Sequence, residues 1–396
     1  MDENTKLDVA VIGVGVMGSS HARDLAGMAN ARLAAVCDID PERAQQVAAQ
    51  FGVPFFLDYQ ELLARARPPA VVIATPHYDH TPISIACLEL GVHVLVEKPL
   101  AAHVNDGKKM IAAYEKARQE YPRLVFGIMF QQRTWSYWRK VKELLEAGAL
   151  GRLVRATWII TDWFRTQAYY DNGGWRATWK GEGGGVLLNQ CPHNLDLYQW
   201  FFGLPRRVTD FAAIGKYHNI EVEDEVTAFF EHENGMVGHF VTTTAESPGT
   251  NRLEIVGENG RLLFENGKLS FGRNAGSMLE FIHTSPAPFD KVEWKEEDVP
   301  FEPETSAGHS RVIQAFAAAA LGGGDPLIAA LEGVRSLELG NAIMHSSFLG
   351  HTVELPLEAD AYEARLLELA RTSRFNKLVR PIPPPDDLSA SFGIHR

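Results

Sequence analysis

Residues 7–27 read LDVAVIGVGVMGSSHARDLAG, and this stretch decides the fold of the N-terminal part. Leu7 to Ile12 form an apolar run of strand length. Gly13-Val14-Gly15-Val16-Met17-Gly18 then fits G-x-G-x-x-G, and a helical segment follows. A first glycine there permits a tight turn. A second lets a pyrophosphate approach the backbone, and a third lets helix and strand pack closely. The helix N-terminus adds free amides and a positive dipole end. A strand, this loop and a helix in that order predict a dinucleotide site at Gly13, Gly15, Val16, Met17 and Gly18.

The segments after it extend the same pattern. RLAAVCDID reads as a second strand that ends at Asp38, where a carboxylate accepts both ribose hydroxyls and repels a 2′-phosphate. NAD is therefore expected over NADP, even with Arg43 nearby. AVVIATP, HVLVEKP and RLVFGIMF are further apolar runs separated by helical segments. Apolar strands alternating with helices predict a parallel sheet covered on both faces, a doubly wound Rossmann domain over residues 1–128.

The pattern changes near residue 128. Asn234-Gly235, Asn259-Gly260 and Asn266-Gly267 punctuate alternating segments and mark hairpins. Residues 129–375 are therefore expected to form an α+β domain with an open, mostly antiparallel sheet, whose free face suits a homo-oligomer. Residues 376–396 read as an extended Pro-rich tail.

Composition narrows the function. The chain has 396 residues, 45% hydrophobic and 22% charged, with a net charge of −12. That balance fits a globular protein acting on a neutral small molecule, and argues against nucleic acid or an anionic membrane surface. No apolar run is long enough to span a bilayer, and no export signal is visible. Three cysteines without a C-x-x-C pair fit reduced thiols in the cytoplasm.

Two further stretches carry chemistry. HVLVEKPL places Glu97, Lys98 and Pro99 at the end of a parallel strand, where open α/β sheets bind ligands. A lysine there can exchange a proton with a substrate oxygen once its ammonium is desolvated. A cis Lys98–Pro99 bond is compatible with this placement. GGGVLLNQCPHNLDLYQWFF, residues 183–202, reads as a helix that Pro192 kinks or restarts. At spacings of four and three, Asn189, His193 and Asp196 would share a helix face. His193 is then either a satisfied core histidine or a proton acceptor that Asp196 orients. H-x-x-D pairs without a convincing third ligand give no expectation of a metal.

The motifs together resemble the Gfo/Idh/MocA oxidoreductases, the glucose-fructose oxidoreductase and inositol dehydrogenase family. The likeness runs from about residue 7 to 356 through GVGVMG, CDIDPERA, ATPHYDH, GVHVLVEKPL, GALGRLV and GEGGGVLLNQCPHNLDLYQWFFG. It implies that Thr75, Pro76 and His80 line the dinucleotide and that Glu97 and Lys98 sit at the nicotinamide. It also implies cofactor contacts from Gln131, Trp175 and Arg176, and acid/base work by His193 with Lys98. The family often has an aspartate where this chain has Asn189, so a full Lys-Asp-His set does not carry over. The implied reaction is hydride transfer from a secondary hydroxyl of a sugar, glycoside, anhydrosugar or cyclitol. The stretch TDWFRTQAYYDNGGWRATWK is suited to sugar faces and hydroxyls. With it, Arg133, Trp163, Arg165, Tyr169, Asn189, Asp196 and His309 become substrate candidates. Two other readings of the same fold stay open: an NAD-assisted glycoside hydrolase without net redox change, and a non-catalytic sugar sensor.

Overall fold

The computed structural model describes residues 6–303 and 308–380. Residues 381–396, most of the expected tail, lie outside the described residues. Two sheets organise the chain. The first has six strands: β1 (Leu7–Ile12), β2 (Ala31–Cys37), β3 (Phe55–Phe56), β4 (Ala70–Ile73), β5 (His93–Val96) and β6 (Phe126–Ile128). Their order is β3-β2-β1-β4-β5-β6, and every pairing is parallel. This order reverses direction beside β1, so a crevice opens between β1 and β4 at their C-terminal ends. β1 and β4 are buried along nearly their whole length because helices cover both faces.

The second sheet has nine strands: β7 (Leu153–Ile160), β8 (Arg207–Ile214), β9 (Glu223–Glu231), β10 (Val237–Thr243), β11 (Asn251–Gly257), β12 (Gly260–Glu265), β13 (Lys268–Asn274), β14 (Trp294–Asp298) and β15 (Val353–Glu354). The order is β14-β13-β12-β11-β7-β10-β9-β8-β15, antiparallel except for β7 beside β10. The three Asn-Gly pairs fall in the β9–β10, β11–β12 and β12–β13 turns.

Burial alternates along the central strands. Trp158, Phe230 and Phe240 face inward, while Thr227 is exposed and Ile159, Phe229 and Val241 are half-buried. The inner face packs on the helices Ser136–Glu146 and Pro192–Phe202. Trp138 lies 5.3 Å from Trp158, and Tyr198 lies 4.9 Å from Phe230. This packing fixes the helix that carries His193 against the sheet.

Pro192 starts a new helix. A short helix, Val186–Asn189, ends first, and Pro192–Phe202 begins after Cys191. The missing N–H of proline costs nothing at a first helical position. No described helix is long and apolar enough to cross a membrane.

Candidate active site

The glycine loop behaves as its spacing predicts. Gly13 has φ +84, and a Cβ there would meet the Ala74 carbonyl oxygen at 2.7 Å. A Cβ on Gly18 would lie 1.8 Å from the Gly13 carbonyl oxygen. A Cβ on Gly15 would meet nothing within 4 Å. Two glycines are thus demanded by the protein itself, and the middle one leaves open space at the N-terminus of the helix Val16–Gly27. Val16 and Met17 open that helix.

Asp38 follows β2 and is buried. Its carboxylate accepts from Val14 N at 2.8 Å and Asp40 N at 3.0 Å. Asp40, two residues on, caps the next helix, so Asp38 is left to shape the loop. Arg43 reaches Asp38 at 3.3 Å.

Glu97 and Lys98 leave β5 in opposite ways. Glu97 accepts from His21 Nε2 at 2.7 Å and from the Lys98 amide at 3.1 Å. Burial works to raise its pKa, but the His21 hydrogen bond and nearby positive charge bring it down to about 2. The Lys98 ammonium donates to the Asn189 main-chain carbonyl at 2.9 Å, tying the first sheet to the segment before His193. Burial lowers the Lys98 value, with Arg176 and Arg165 acting the same way and Glu97 and Glu182 opposing. The Lys98–Pro99 peptide is cis.

His193 is 3% exposed, and neither ring nitrogen has a hydrogen-bond partner. Burial and the Lys98 ammonium push it well below the ordinary imidazole range, so the ring is neutral. Phe130 packs edge-on at 6.0 Å. A buried ring with two orphaned nitrogens is rare, because each lost hydrogen bond costs about 1–3 kcal/mol. It marks a position that a ligand hydroxyl can satisfy.

The expectation that Asp196 orients His193 is corrected. Asp196 is held by Arg133 through two hydrogen bonds, 2.8 and 2.6 Å, and by Gln199 at 3.2 Å. Arg133 also binds Glu332 at 2.7 Å and lies over the Trp200 ring at 5.1 Å. Arg133 and Asp196 therefore brace three helical segments, with their charges met by one another and by Glu332. His193 and Asp196 share the helix Pro192–Phe202, but both Asp196 oxygens are taken by Arg133, and Asn189 lies apart in the preceding short helix.

The aromatic candidates do come together. The Arg165 guanidinium lies 5.6 Å from the Trp163 ring and 5.2 Å from the Tyr169 ring. Arg176 lies 4.8 Å from Tyr169 and 4.5 Å from Trp175. The Tyr169 hydroxyl accepts from Arg176 at 2.9 Å and Gln190 at 3.1 Å, and donates to Asn189 Oδ1 at 3.2 Å. Trp163 is buried with its indole N–H unpartnered. His309 opens the helix His309–Gly322 and packs 5.5 Å from His21, on the Glu97 side. Burial lowers it to about 4.

Thr75 Oγ1 and Gln131 Oε1 are buried acceptors without partners at the ends of β4 and β6. Pro76 begins the next helix at the same edge. His80 differs, since its two nitrogens lie 2.8 Å from the Pro99 carbonyl and 2.9 Å from the Thr75 carbonyl. A neutral imidazole donates to one of these carbonyls only, and with both nitrogens against the main chain His80 braces the two loops. An open loop at Gly15 and orphaned acceptors along one edge fit a dinucleotide laid across β1, β4 and β6.

Sequence reasoning missed His21 and Glu182. His21 is a polar residue within the buried stripe Gly18, His21, Ala22, Leu25, and that break in the stripe is a readable signal. Glu182 stands among glycines with no such signal. His103, Asp106 and Glu363 form a cluster with metal-ligand spacing, but the Lys109 ammonium lies 2.7 Å from Asp106 and already balances its charge.

Residues 7–121 match the oxidoreductase family with an NAD-binding Rossmann fold, and residues 138–263 match the GFO/IDH/MocA C-terminal domain.

The chain belongs to the Gfo/Idh/MocA oxidoreductase family.

This Gfo/Idh/MocA oxidoreductase is 30% identical to an inositol 2-dehydrogenase of Rubrobacter xylanophilus, over 65% of this chain and 71% of that one. It is 25% identical to the levoglucosan dehydrogenase of Pseudarthrobacter phenanthrenivorans, over 88% and 98%. The WlbA dehydrogenase from Bordetella pertussis, solved in complex with NADH and UDP-GlcNAcA, superposes with a TM-score of 0.75 at 27% identity. That match covers 89% of this chain and 100% of that structure.

Proposed function

We propose that this protein is an NAD-dependent dehydrogenase that oxidises a secondary hydroxyl of a sugar, glycoside, anhydrosugar or cyclitol to a ketone. The observation that carries the reading is His193: a buried, neutral imidazole with both nitrogens unpartnered, in a segment that the Lys98 ammonium holds. Curated relatives named inositol and levoglucosan dehydrogenases support the same substrate class. Residues 1–128 would bind the cofactor and residues 129–375 the substrate.

Gly13, Gly15, Gly18, Val16 and Met17 would hold the pyrophosphate, Asp38 the adenosine ribose, and Thr75, Gln131 and Glu97 the nicotinamide end, with Trp175 and Arg176 closing over it. NAD when bound supplies the hydride acceptor. The chain supplies the proton chemistry. Neutral His193 accepts the hydroxyl proton, and the Lys98 ammonium donates a hydrogen bond to the oxygen as negative charge develops there. Glu97 and the Asn189 carbonyl hold Lys98 in place. The Trp163–Arg165–Tyr169 stack offers aromatic faces and polar edges to a sugar ring.

Asp38 favours NAD over NADP, although Arg43 beside it is the residue from which NADP use would be built. Three buried free cysteines suit a cytoplasmic protein. The outer face of the second sheet, with Phe211 at 78% exposed, suits a homo-oligomer.

A panel of sugars and cyclitols mixed with protein and NAD tests the reading. Sustained NADH formation on at least one supports it. Release of an aglycone without NADH supports the hydrolase, and binding without either supports the sensor; both outcomes overturn the dehydrogenase.

A further inference from the structure

Glu182 is a buried carboxylate, 2% exposed, at the end of an irregular loop that carries Trp175 and Arg176. Every oxygen it has is used. One carboxylate oxygen accepts from the Asn189 side-chain amide and the other from the Ala177 main-chain N–H. Its main-chain carbonyl meets His77 Nδ1 at 2.9 Å. Ala177 itself has φ +58, a left-handed backbone that a non-glycine residue keeps only when its surroundings hold it there.

The Asn189 amide has two unlike ends. With its nitrogen bound to Glu182, its oxygen is turned toward Tyr169 Oη and Gln190 Nε2, each at 3.2 Å. An unopposed amide could flip and present a donor instead. The main chain of the same residue holds the Lys98 ammonium at 2.9 Å. Glu182 thus reaches Lys98 through one residue. Charged groups face it from several sides: Arg176 on its own loop, Lys98 after β5, Lys377 from the C-terminal segment, and Glu223 on β9. Lys377 also clamps the loop from outside, donating to the carbonyls of Gly173 at 2.6 Å and Arg176 at 2.7 Å.

We propose that Glu182 is a positioning residue of the site: it locks the Asn189 amide with its oxygen toward Tyr169, and it supplies counter-charge to the Lys98 ammonium across the Asn189 residue. The inference rests on the dehydrogenase reading for its kinetic consequence only.

Competitive labelling of Lys98 by cyanate, followed by mass spectrometry across pH on the full chain, reads the ammonium midpoint without any substrate. Glu182→Gln keeps the shape and removes the charge. Its Lys98 midpoint should fall by at least about half a pH unit, because an opposite charge has left. The alkaline limb of NADH formation should move the same way. A purely structural role would not move either. An unshifted midpoint in a variant that melts like the wild type overturns the proposal. If Glu182→Gln does not fold, Glu182→Asp decides: the charge stays but the reach shortens, so hydrogen exchange of amides 175–182 should rise at least about tenfold. Unchanged exchange there overturns the proposal as well. A wild-type protein that forms no NADH with any sugar sinks the dehydrogenase reading and leaves the labelling test intact.

Discussion

The two halves of the site are built on different terms. On the Rossmann side, the charged and imidazole groups at the crevice arrive with partners, and Thr75 Oγ1 is left open. Glu97 has His21, Asp38 has two backbone amides, and His80 has two carbonyls. On the other side, His193 has no hydrogen-bond partner, and the Trp163 indole N–H and Gln190 Oε1 are likewise unsatisfied. The first half has its charges settled before any ligand arrives. The second half carries unmet hydrogen-bonding capacity, and a ligand that meets it gains the difference. Groups that hold position are satisfied by the protein, while groups that must respond to substrate are left open.

Substitutions can break this contrast, and the largest effect falls where the halves meet. Lys98→Met should cut kcat/KM for NADH formation by about 10³-fold or more while holding the NAD Kd within a few-fold, measured by steady-state kinetics and fluorescence titration. Wild-type turnover would end the proposed chemistry. His193→Ala should cost about 10²- to 10³-fold in kcat, since the base is lost and positioning stays.

The pH profile sharpens the same point. Neutral His193 is the active form, and its value is depressed, so it stays neutral into acid. The acid limb of kcat/KM should therefore lie well below about 6.5, the ordinary imidazole value. Lys98 is lowered too, so the alkaline limb should fall below its ordinary value. An acid limb at the ordinary imidazole value would mean that His193 is not the base.

Where charges are already met by the protein, the effects are smaller. Asp38→Ser should weaken NAD and improve NADP, narrowing their ratio of kcat/KM by about 10- to 100-fold. Smallest for activity is Asp196→Asn. It should leave kcat within about threefold, yet lower stability by about 3 kcal/mol in chemical denaturation, because it leaves the buried Arg133 poorly paired. A large loss of kcat at unchanged stability would return Asp196 to the proton chemistry.

Much of the first half was legible in advance. Its strands, glycine loop, Asp38 and strand-end lysine follow from short-range rules. A strand period, a turn that needs a positive φ and a helix start each act over a few residues. The Asn-Gly turns of the second sheet were readable for the same reason. The second half was only partly legible. Asn189, His193 and Asp196 stand at helical spacing, but Pro192 divides them between two helices.

What the sequence by itself determined was therefore the Rossmann topology, the hairpins and the residue types at the crevice. What only the tertiary structure decided was which partner each buried carboxylate takes. Asp196 went to Arg133, 63 residues away in the chain, and Asn189 to Glu182. A buried charge takes whichever partner the packing brings within reach, and separation along the chain carries no record of that choice.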